Sequence, residues 1–295
     1  MSLITPFDPW RSKLCTCPLK YNLSPFTGCG HGCLYCYASS YIPKFNQPRV
    51  KKDFTKRLKK EIKKIPPSSI ITISNSSDPY QPLEAKERLM KETLRIIPGD
   101  DFKINIVTKS SLIKRDIALL NKFKNIVICI SLTTLSEKLS EKLEPGAPSP
   151  KKRLDALKTL SGYFPTVVRL DPLIYPLNTG EIEEIIKAVR IAGAKQIITS
   201  TYKAKPDNFK KMCAVFSQYS KIWQKLYKEE GKSYGKNNYL TFKLRKKMIE
   251  RVKETALKYG AEFSSCREGL EKLNTLECDG SFWLNSGETN TRKNI

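Results

Sequence analysis

Cys29, Cys33 and Cys36 fall within eight residues, in the run Thr27-Gly28-Cys29-Gly30-His31-Gly32-Cys33-Leu34-Tyr35-Cys36-Tyr37-Ala38. Thiolates are metal ligands, and the three glycines let the loop turn back so that the sulfurs converge. A C-x3-C-x2-C loop can hold three irons of a 4Fe-4S cluster. It leaves the fourth iron without a cysteine, since a cubane ordinarily takes four. An iron with an open position is a place where chemistry can happen. The competing reading is structural zinc, which asks for four cysteines or three and a histidine, commonly as two matched pairs. His31 could complete such a site, but between two ligands of one short loop it would be strained. The spacing, with a tyrosine inside the C-x2-C pair, favours the cluster.

A second set of thiols lies at the two ends of the chain, at Cys15, Cys17, Cys266 and Cys278. Together they could build a structural zinc site or an auxiliary 4Fe-4S cluster that ties the amino and carboxyl segments to each other. Free thiols, or a disulfide in a hyperthermophile, are the alternatives, and C-x-C is a poorer chelating spacing than C-x2-C. Cys129 and Cys213 sit inside apolar patterns and read as core residues. His31 is the only histidine, so mechanisms built on histidine acid-base pairs are nearly excluded. Within its loop it reads as a hydrogen-bonding support.

The elements that must position these residues alternate. Strands are expected at 20–24, 69–75, 103–108, 125–132, 166–170 and 196–200, where β-branched residues concentrate. Helices are expected at 51–65, 84–97, 112–123, 136–143, 150–160, 180–192 and from a cap at Asp207 to about Glu230. Ser149 and Thr241 read as N-caps, with Pro150 at a first helical position. Six strand-helix units predict a parallel sheet with right-handed crossovers, as a partial barrel or an open sheet. Residues 231–238 read as a polar linker, 241–260 as a basic helix, 261–264 as a short strand, and the tail after Gly287 as disordered. The resulting division is 1–19 as an extension that carries the first thiols of the second set, 20–230 as the core, and 231–295 as a cysteine-containing extension. Tyr219, Trp223 and Tyr227 form a stripe read as packing in preference to base stacking.

Lys and Arg number 53 against 29 Asp and Glu, a formal net charge of +24. Such a field attracts polyanions, and counterion release would strengthen contact with nucleic acid. A lysine-rich proteome would give the same excess, though it ordinarily raises Glu alongside Lys. The first twenty residues carry Asp8, Arg11, Lys13 and Lys20 and no continuous apolar stretch, so no signal peptide is visible. No apolar run approaches membrane-spanning length, and the expectation is a soluble, cytoplasmic protein with no membrane partner.

In parallel α/β folds ligands sit at the carboxyl ends of the strands. Those positions carry the cluster loop, then Asn75 to Glu84, Lys109, Ser131 with Thr133, Arg169 with Asp171, and Thr201 with Tyr202. The cluster loop resembles that of the radical S-adenosylmethionine (SAM) enzymes. Ser77-Asp78-Pro79-Tyr80-Gln81-Pro82, Thr108-Lys109-Ser110, Ser131-Leu132-Thr133-Thr134, Leu143-Glu144-Pro145-Gly146-Ala147-Pro148-Ser149-Pro150, Cys266-Arg267-Glu268 and Cys278-Asp279-Gly280-Ser281 narrow the resemblance to the spore photoproduct lyase-like branch. It spans about Cys17 to Ser281.

The resemblance implies a partial (β/α)6 barrel, a cluster on Cys29, Cys33 and Cys36, and SAM on its open iron. It also implies a one-electron donor such as ferredoxin or flavodoxin. Tyr35 and Tyr37 would pack around cluster and SAM, Ser77 would meet the methionyl amino end, Lys109 the carboxylate, Ser131 the ribose, and the backbone near Ile174 the adenine. Asp78 and Arg169 are counted with these cofactor-contacting residues. Reductive cleavage of SAM would give a 5'-deoxyadenosyl radical that abstracts a hydrogen atom from a substrate, DNA or tRNA among the candidates. A peptide or small-metabolite substrate, or a non-catalytic basic nucleic-acid-binding protein with structural zinc, is the alternative. In spore photoproduct lyases a hydrogen-donating cysteine lies just before the Ser-Asp pair, where this chain has Ser76. A serine O-H bond is too strong for that role, so efficient dimer repair is not expected.

Overall fold

The computed structural model describes residues 2–7, 14–73 and 75–285. Its strands are β1 (Ile4–Pro6), β2 (Tyr21–Leu23), β3 (Phe26–Thr27), β4 (Arg49–Val50), β5 (Ile70–Ile73), β6 (Lys103–Thr108), β7 (Asn125–Ser131), β8 (Thr166–Leu173), β9 (Gln196–Thr201), β10 (Lys232–Tyr234), β11 (Asn237–Tyr239) and β12 (Glu262–Ser265). Eight of them form one sheet in the order β1-β2-β5-β6-β7-β8-β9-β12. β1 runs antiparallel to β2, and every other neighbouring pair is parallel. The α/β architecture is the expected one. The parallel run has one strand more than the six anticipated, because β12 leaves the carboxyl-terminal segment to pair with β9. Asp8, Arg11, Lys13, Ser74 and the tail after Gly287 lie outside the described residues.

Side-chain alternation divides the sheet into two apolar faces. Ile104, Ile106, Ile126, Ile128, Ile130, Val168, Leu170 and Ile197 enter the large core beneath the helices. Val127, Cys129, Val167 and Ile198 point the other way and are covered by Leu284, with Trp283 packed alongside. The strands therefore read as continuous apolar runs, as expected of a sheet buried on both faces. Further along that second face the residues turn polar: Lys109, Ser131, Arg169, Asp171 and Ser200 follow at the carboxyl ends.

The helices are α1 (Phe54–Glu61), α2 (Pro82–Glu87), α3 (Leu89–Ile96), α4 (Ile117–Leu120), α5 (Glu137–Leu143), α6 (Pro150–Ser161), α7 (Ile182–Ile191), α8 (Pro206–Val215), α9 (Ser220–Gln224) and α10 (Phe242–Lys258). Ser149 and Thr241 cap α6 and α10 through their hydroxyls, as predicted. Four expectations need correction. The helix expected over 84–97 is broken at Arg88, in the left-handed region at φ 53°, where the Glu84 carboxylate accepts from the Met90 N-H at 3.1 Å and draws the chain into a new start. The one expected over 112–123 is a 3-10 turn over Ser111–Asp116 before α4, with the Arg115 guanidinium held by Glu84 and Asp116. The long helix to Glu230 stops at Val215, because Phe216 leaves the helical region and packs its ring 6.2 Å from that of Trp223. Its N-cap is Lys205, with Pro206 in its first turn, and Asp207 instead bonds Ser39 and Lys211. The expected polar linker is the β10–β11 hairpin, bridged to the core through Ala204 and Asn238. Trp223 and Tyr227 are buried, and Trp223 Nε1 donates to the Tyr175 carbonyl at 2.7 Å, so the aromatic stripe packs.

Candidate active site

A cavity of about 440 Å³ opens at the carboxyl ends of the strands. Cys29, Cys33 and Cys36 line it, together with Tyr35, Tyr37, Ser77, Asp78, Lys109, Ser131 and Arg169. Its size falls in the range of about 300–1,000 Å³ usual for cofactor pockets. Of the residues assigned to cofactor contact, Ile174 alone stays outside: it is buried, and its N-H donates to Asn178 Oδ1 at 2.7 Å. The adenine contact expected near it therefore has no free N-H at that residue.

The cluster loop is folded by close approach and braced by three others. Gly28 has φ 81°, and a Cβ there would sit 2.4 Å from the Phe45 carbonyl oxygen. That tightness is used, since Cys29 N-H donates to the same oxygen at 2.8 Å. The Gln81 amide reaches across, donating to Gly28 O at 3.2 Å and accepting from Gly30 N-H at 2.7 Å. From the Glu144 turn, Gly146 lies so close that a Cβ would meet Gly30 O at 2.2 Å, and its N-H donates to His31 O at 2.9 Å. Leu34 N-H donates to Leu143 O at 2.9 Å. Two segments from far along the chain thus hold the loop that carries the thiols.

Asp78 and Glu144 organise the polar wall. Asp78 accepts from Thr108 Oγ1 at 2.6 Å, from Lys109 N-H at 2.7 Å and from Tyr80 N-H at 2.9 Å. His31 Nε2 lies 3.2 Å from the same carboxylate while Nδ1 is 3.0 Å from Gly146 O, so the histidine supports the loop as expected. Burial works against the Asp78 charge, but the nearby His31 and the donated hydrogen bonds outweigh it and hold the carboxyl at about 2. Glu144 is buried against Arg153 (2.5 Å), Thr133 Oγ1 (2.8 Å) and the Tyr35 hydroxyl. Lys109 Nζ stands 4.0 Å from Glu144 and 5.7 Å above the Tyr35 ring. Burial disfavours the Lys109 ammonium, yet Cys33 and Glu144 raise its pKa overall. Lys109 is thus a positive charge fixed in the cavity wall.

Other assigned residues are partly engaged by the protein. Ser77 Oγ is 2.8 Å from Ser24 Oγ, the Tyr37 hydroxyl donates to Asn75 O, and Tyr37 stacks on Tyr41 at 6.3 Å. Ser131 is buried on the cavity wall, its carbonyl receiving Arg153 at 3.3 Å. Arg169 pairs with Asp171 at 2.7 Å, and Ser200 donates to Asp171 at 2.6 Å. Burial, with the Asp78 charge next, pushes the Cys29 thiol up to about 12, and burial likewise raises Cys33 and Cys36. Cys29 is buried and Cys33 and Cys36 are half-buried, with Lys109 the nearby cation acting on the latter two; as three thiolates they need more positive charge among them, which is the donor set a metal cluster fits.

The roles of Gln81 and Glu144 were not assigned from the sequence. The signal available was their place inside the Ser77–Pro82 and Leu143–Pro150 motifs, polar residues beside prolines in otherwise tight turns. The second cysteine set faces the same cavity: Cys15, Cys17, Cys266 and Cys278 all line it, with Lys20, Lys203 and Asp279.

Residues 23–189 match the family model of the radical SAM superfamily. An uncharacterized protein of Methanocaldococcus jannaschii is 30% identical over 190 residues, spanning 62% of this chain and 68% of that protein. One from Acidianus two-tailed virus is 27% identical over 230 residues, spanning 70% and 75%. Among solved structures, a spore photoproduct lyase variant superposes with a TM-score of 0.65 at 15% identity, covering 82% of this chain and 75% of that one. Streptococcus suis SuiB bound to S-adenosylmethionine superposes at 0.54, with 15% identity and coverage of 83% and 49%. At such identities the superpositions speak for the fold. No helix among the described residues is long and apolar enough to cross a membrane. With the family model covering more than half of its length around a three-thiol loop that lines the cavity, the chain belongs to the radical SAM superfamily.

Proposed function

We propose that this protein is an enzyme that cleaves SAM reductively at a 4Fe-4S cluster held by Cys29, Cys33 and Cys36, and turns the resulting radical on a nucleic-acid substrate. The observation that carries the reading is one cavity holding three thiols, a fixed ammonium and buried hydroxyls together. When bound, the cluster supplies one electron that breaks the sulfonium C-S bond of SAM and yields a 5'-deoxyadenosyl radical. This chain supplies placement and exclusion of water. Lys109, held between Tyr35 and Glu144, offers a point charge to the SAM carboxylate. Ser131 and Ser77 offer hydroxyls suited to ribose and ammonium. Tyr35 and Tyr37, with their hydroxyls tied down, wall the cavity against solvent. Superfamily membership supports the cofactor pair.

The net charge of +24 supports a polyanionic substrate. Ser76 lines the cavity in the position discussed above, which supports a product-radical fate other than return of hydrogen from that residue. The electron donor in this reading is a ferredoxin or flavodoxin. Anaerobic reconstitution with iron and sulfide, followed by dithionite and SAM, is expected to release 5'-deoxyadenosine. Colourless material that leaves SAM intact would remove the enzymatic reading. Binding to tRNA and duplex DNA across a salt series separates the nucleic-acid substrate from a peptide or metabolite: the first predicts affinity falling steeply with salt, the second no measurable binding.

A further inference from the structure

The four thiols outside the cluster loop converge although they come from opposite ends of the chain. Cys17 Sγ and Cys278 Sγ are 3.8 Å apart across a separation of 261 residues. Cys15 interacts with Cys17, and Cys266 with Cys278. All nine cysteines are free, and 3.8 Å is far beyond the roughly 2.05 Å of a disulfide. Four sulfurs placed about 2.3 Å from a zinc ion in a tetrahedron stand about 3.8 Å from each other. The Cys17–Cys278 spacing matches that edge. A cubane would hold its cysteine sulfurs much further apart, because each ligates a different iron.

Contacts that do not involve sulfur hold the ligands in place. Cys266 follows β12, and its N-H continues the ladder to Thr199 O at 2.8 Å. The Cys278 segment is pinned by the Asn105 amide on Asp279 O at 2.6 Å and by the Gln196 amide on Glu277 O at 2.9 Å. Lys20, three residues after Cys17, forms a buried ion pair with Asp279, the neighbour of Cys278. The amino-terminal and carboxyl-terminal ligands are therefore brought together by a link independent of the thiols. Lys20, Arg169 and Lys203 line the same cavity beside the thiols, each also paired with a carboxylate, Asp279, Asp171 and Glu268 respectively. No three His, Cys, Asp or Glu side chains among the described residues are already closed around one point, in the cluster loop or here.

We infer that Cys15, Cys17, Cys266 and Cys278 form a tetrahedral site for one divalent zinc-type ion that clamps the two chain ends together in the wall of the cavity they share with the cluster loop. The site is independent of the cluster, so it is tested in full-length protein with Cys29, Cys33 and Cys36 all changed to alanine. That protein is expected to retain about one equivalent of zinc. Replacing the zinc by Co2+ is expected to give the visible bands of tetrahedral cobalt thiolate. Adding Cys266→Ser and Cys278→Ser should abolish both. Cys15→Ser, the mildest change, should weaken zinc at least tenfold against a chelator while leaving the far-ultraviolet circular dichroism unchanged, which separates ligand loss from unfolding. Three outcomes overturn the inference: iron and sulfide bound with brown colour in the triple variant, a mass two hydrogens short that reports a disulfide, or metal-free protein in which all six remaining thiols titrate on unfolding. Loss of 5'-deoxyadenosine formation in the wild type would strike the cluster reading alone.

Discussion

The two groups of cysteines that face the cavity are held in opposite ways. The cluster loop takes its three thiols from eight consecutive residues and is braced by polar side chains and backbone from the Asp78 and Glu144 segments. The second set takes its thiols from both ends of the chain and relies on the Lys20–Asp279 pair and on the Cys278 segment covering the sheet. A short loop fixes ligand spacing by itself and needs help only with orientation. Distant ligands need the fold to exist first. The first group should therefore fail in function before it fails in stability, and the second the other way round.

The largest effect is expected at the loop. Cys36→Ala should reduce 5'-deoxyadenosine formation to background and remove the brown colour of reconstituted protein. Unfolding by urea should stay close to wild type, since the thiol is only partly buried and its backbone contacts persist. A large fall in stability would break the contrast.

Glu144→Gln comes next, because it removes a charge from a buried cluster. Glu144 faces Arg153 at 2.5 Å, with Lys109 further off at 4.0 Å, so the change leaves buried cations unpaired and should cost about 3–5 kcal/mol in urea unfolding. Burial alone would raise the Glu144 carboxyl, but Arg153 and Lys109 lower it. A lowered folded value means that the stabilisation is full above the unfolded value of about 4.3 and is lost as pH falls through the folded one. Wild type should lose stability with acid over that range more steeply than the variant.

Lys20→Met probes the other group with a comparable or somewhat smaller loss. It leaves Asp279 buried without its ammonium, although Ser281 N-H still donates to that carboxylate at 3.0 Å. Stability should fall by about 3 kcal/mol. The cluster absorbance of protein that remains folded should be unchanged, and limited proteolysis should show the carboxyl segment cut earlier. Loss of cluster at equal folded fraction would merge the two regions into one unit.

What the sequence made legible follows the same division. The cluster loop was readable because its information is local, and Lys109 and Ser131 were readable because strand alternation and the carboxyl-end rule place them without any contact being known. The break at Arg88 was hidden because residues 84–88 carry no glycine or proline to mark a stop and the apolar rhythm of Leu89, Met90 and Leu94 begins directly after it, while the cause is the buried Glu84. The extra parallel strand was read correctly as a strand but not as part of the sheet, since pairing with β9 depends on a crossover through α10. The cover that Leu284 and Trp283 give the second face left no periodic trace at all: Gly280 turns at φ 81°, and a single 3-10 turn does the packing.

Gln81→Ala is the smallest change and the most discriminating. The Gln81 side chain is fully buried and makes two hydrogen bonds to the backbone of the cluster loop, at Gly28 O and Gly30 N-H. Its removal leaves that donor and acceptor without partners on the Asp78 segment, at a cost of about 1–3 kcal/mol. Because both bonds flank Cys29, the loss should fall on the geometry of one ligand more than on the fold. Reconstituted Gln81→Ala protein should release iron to a chelator several-fold faster than wild type at a temperature where both are fully folded. Equal release rates with the full loss of stability would mean that Gln81 holds the fold together and that the loop orients its own thiols.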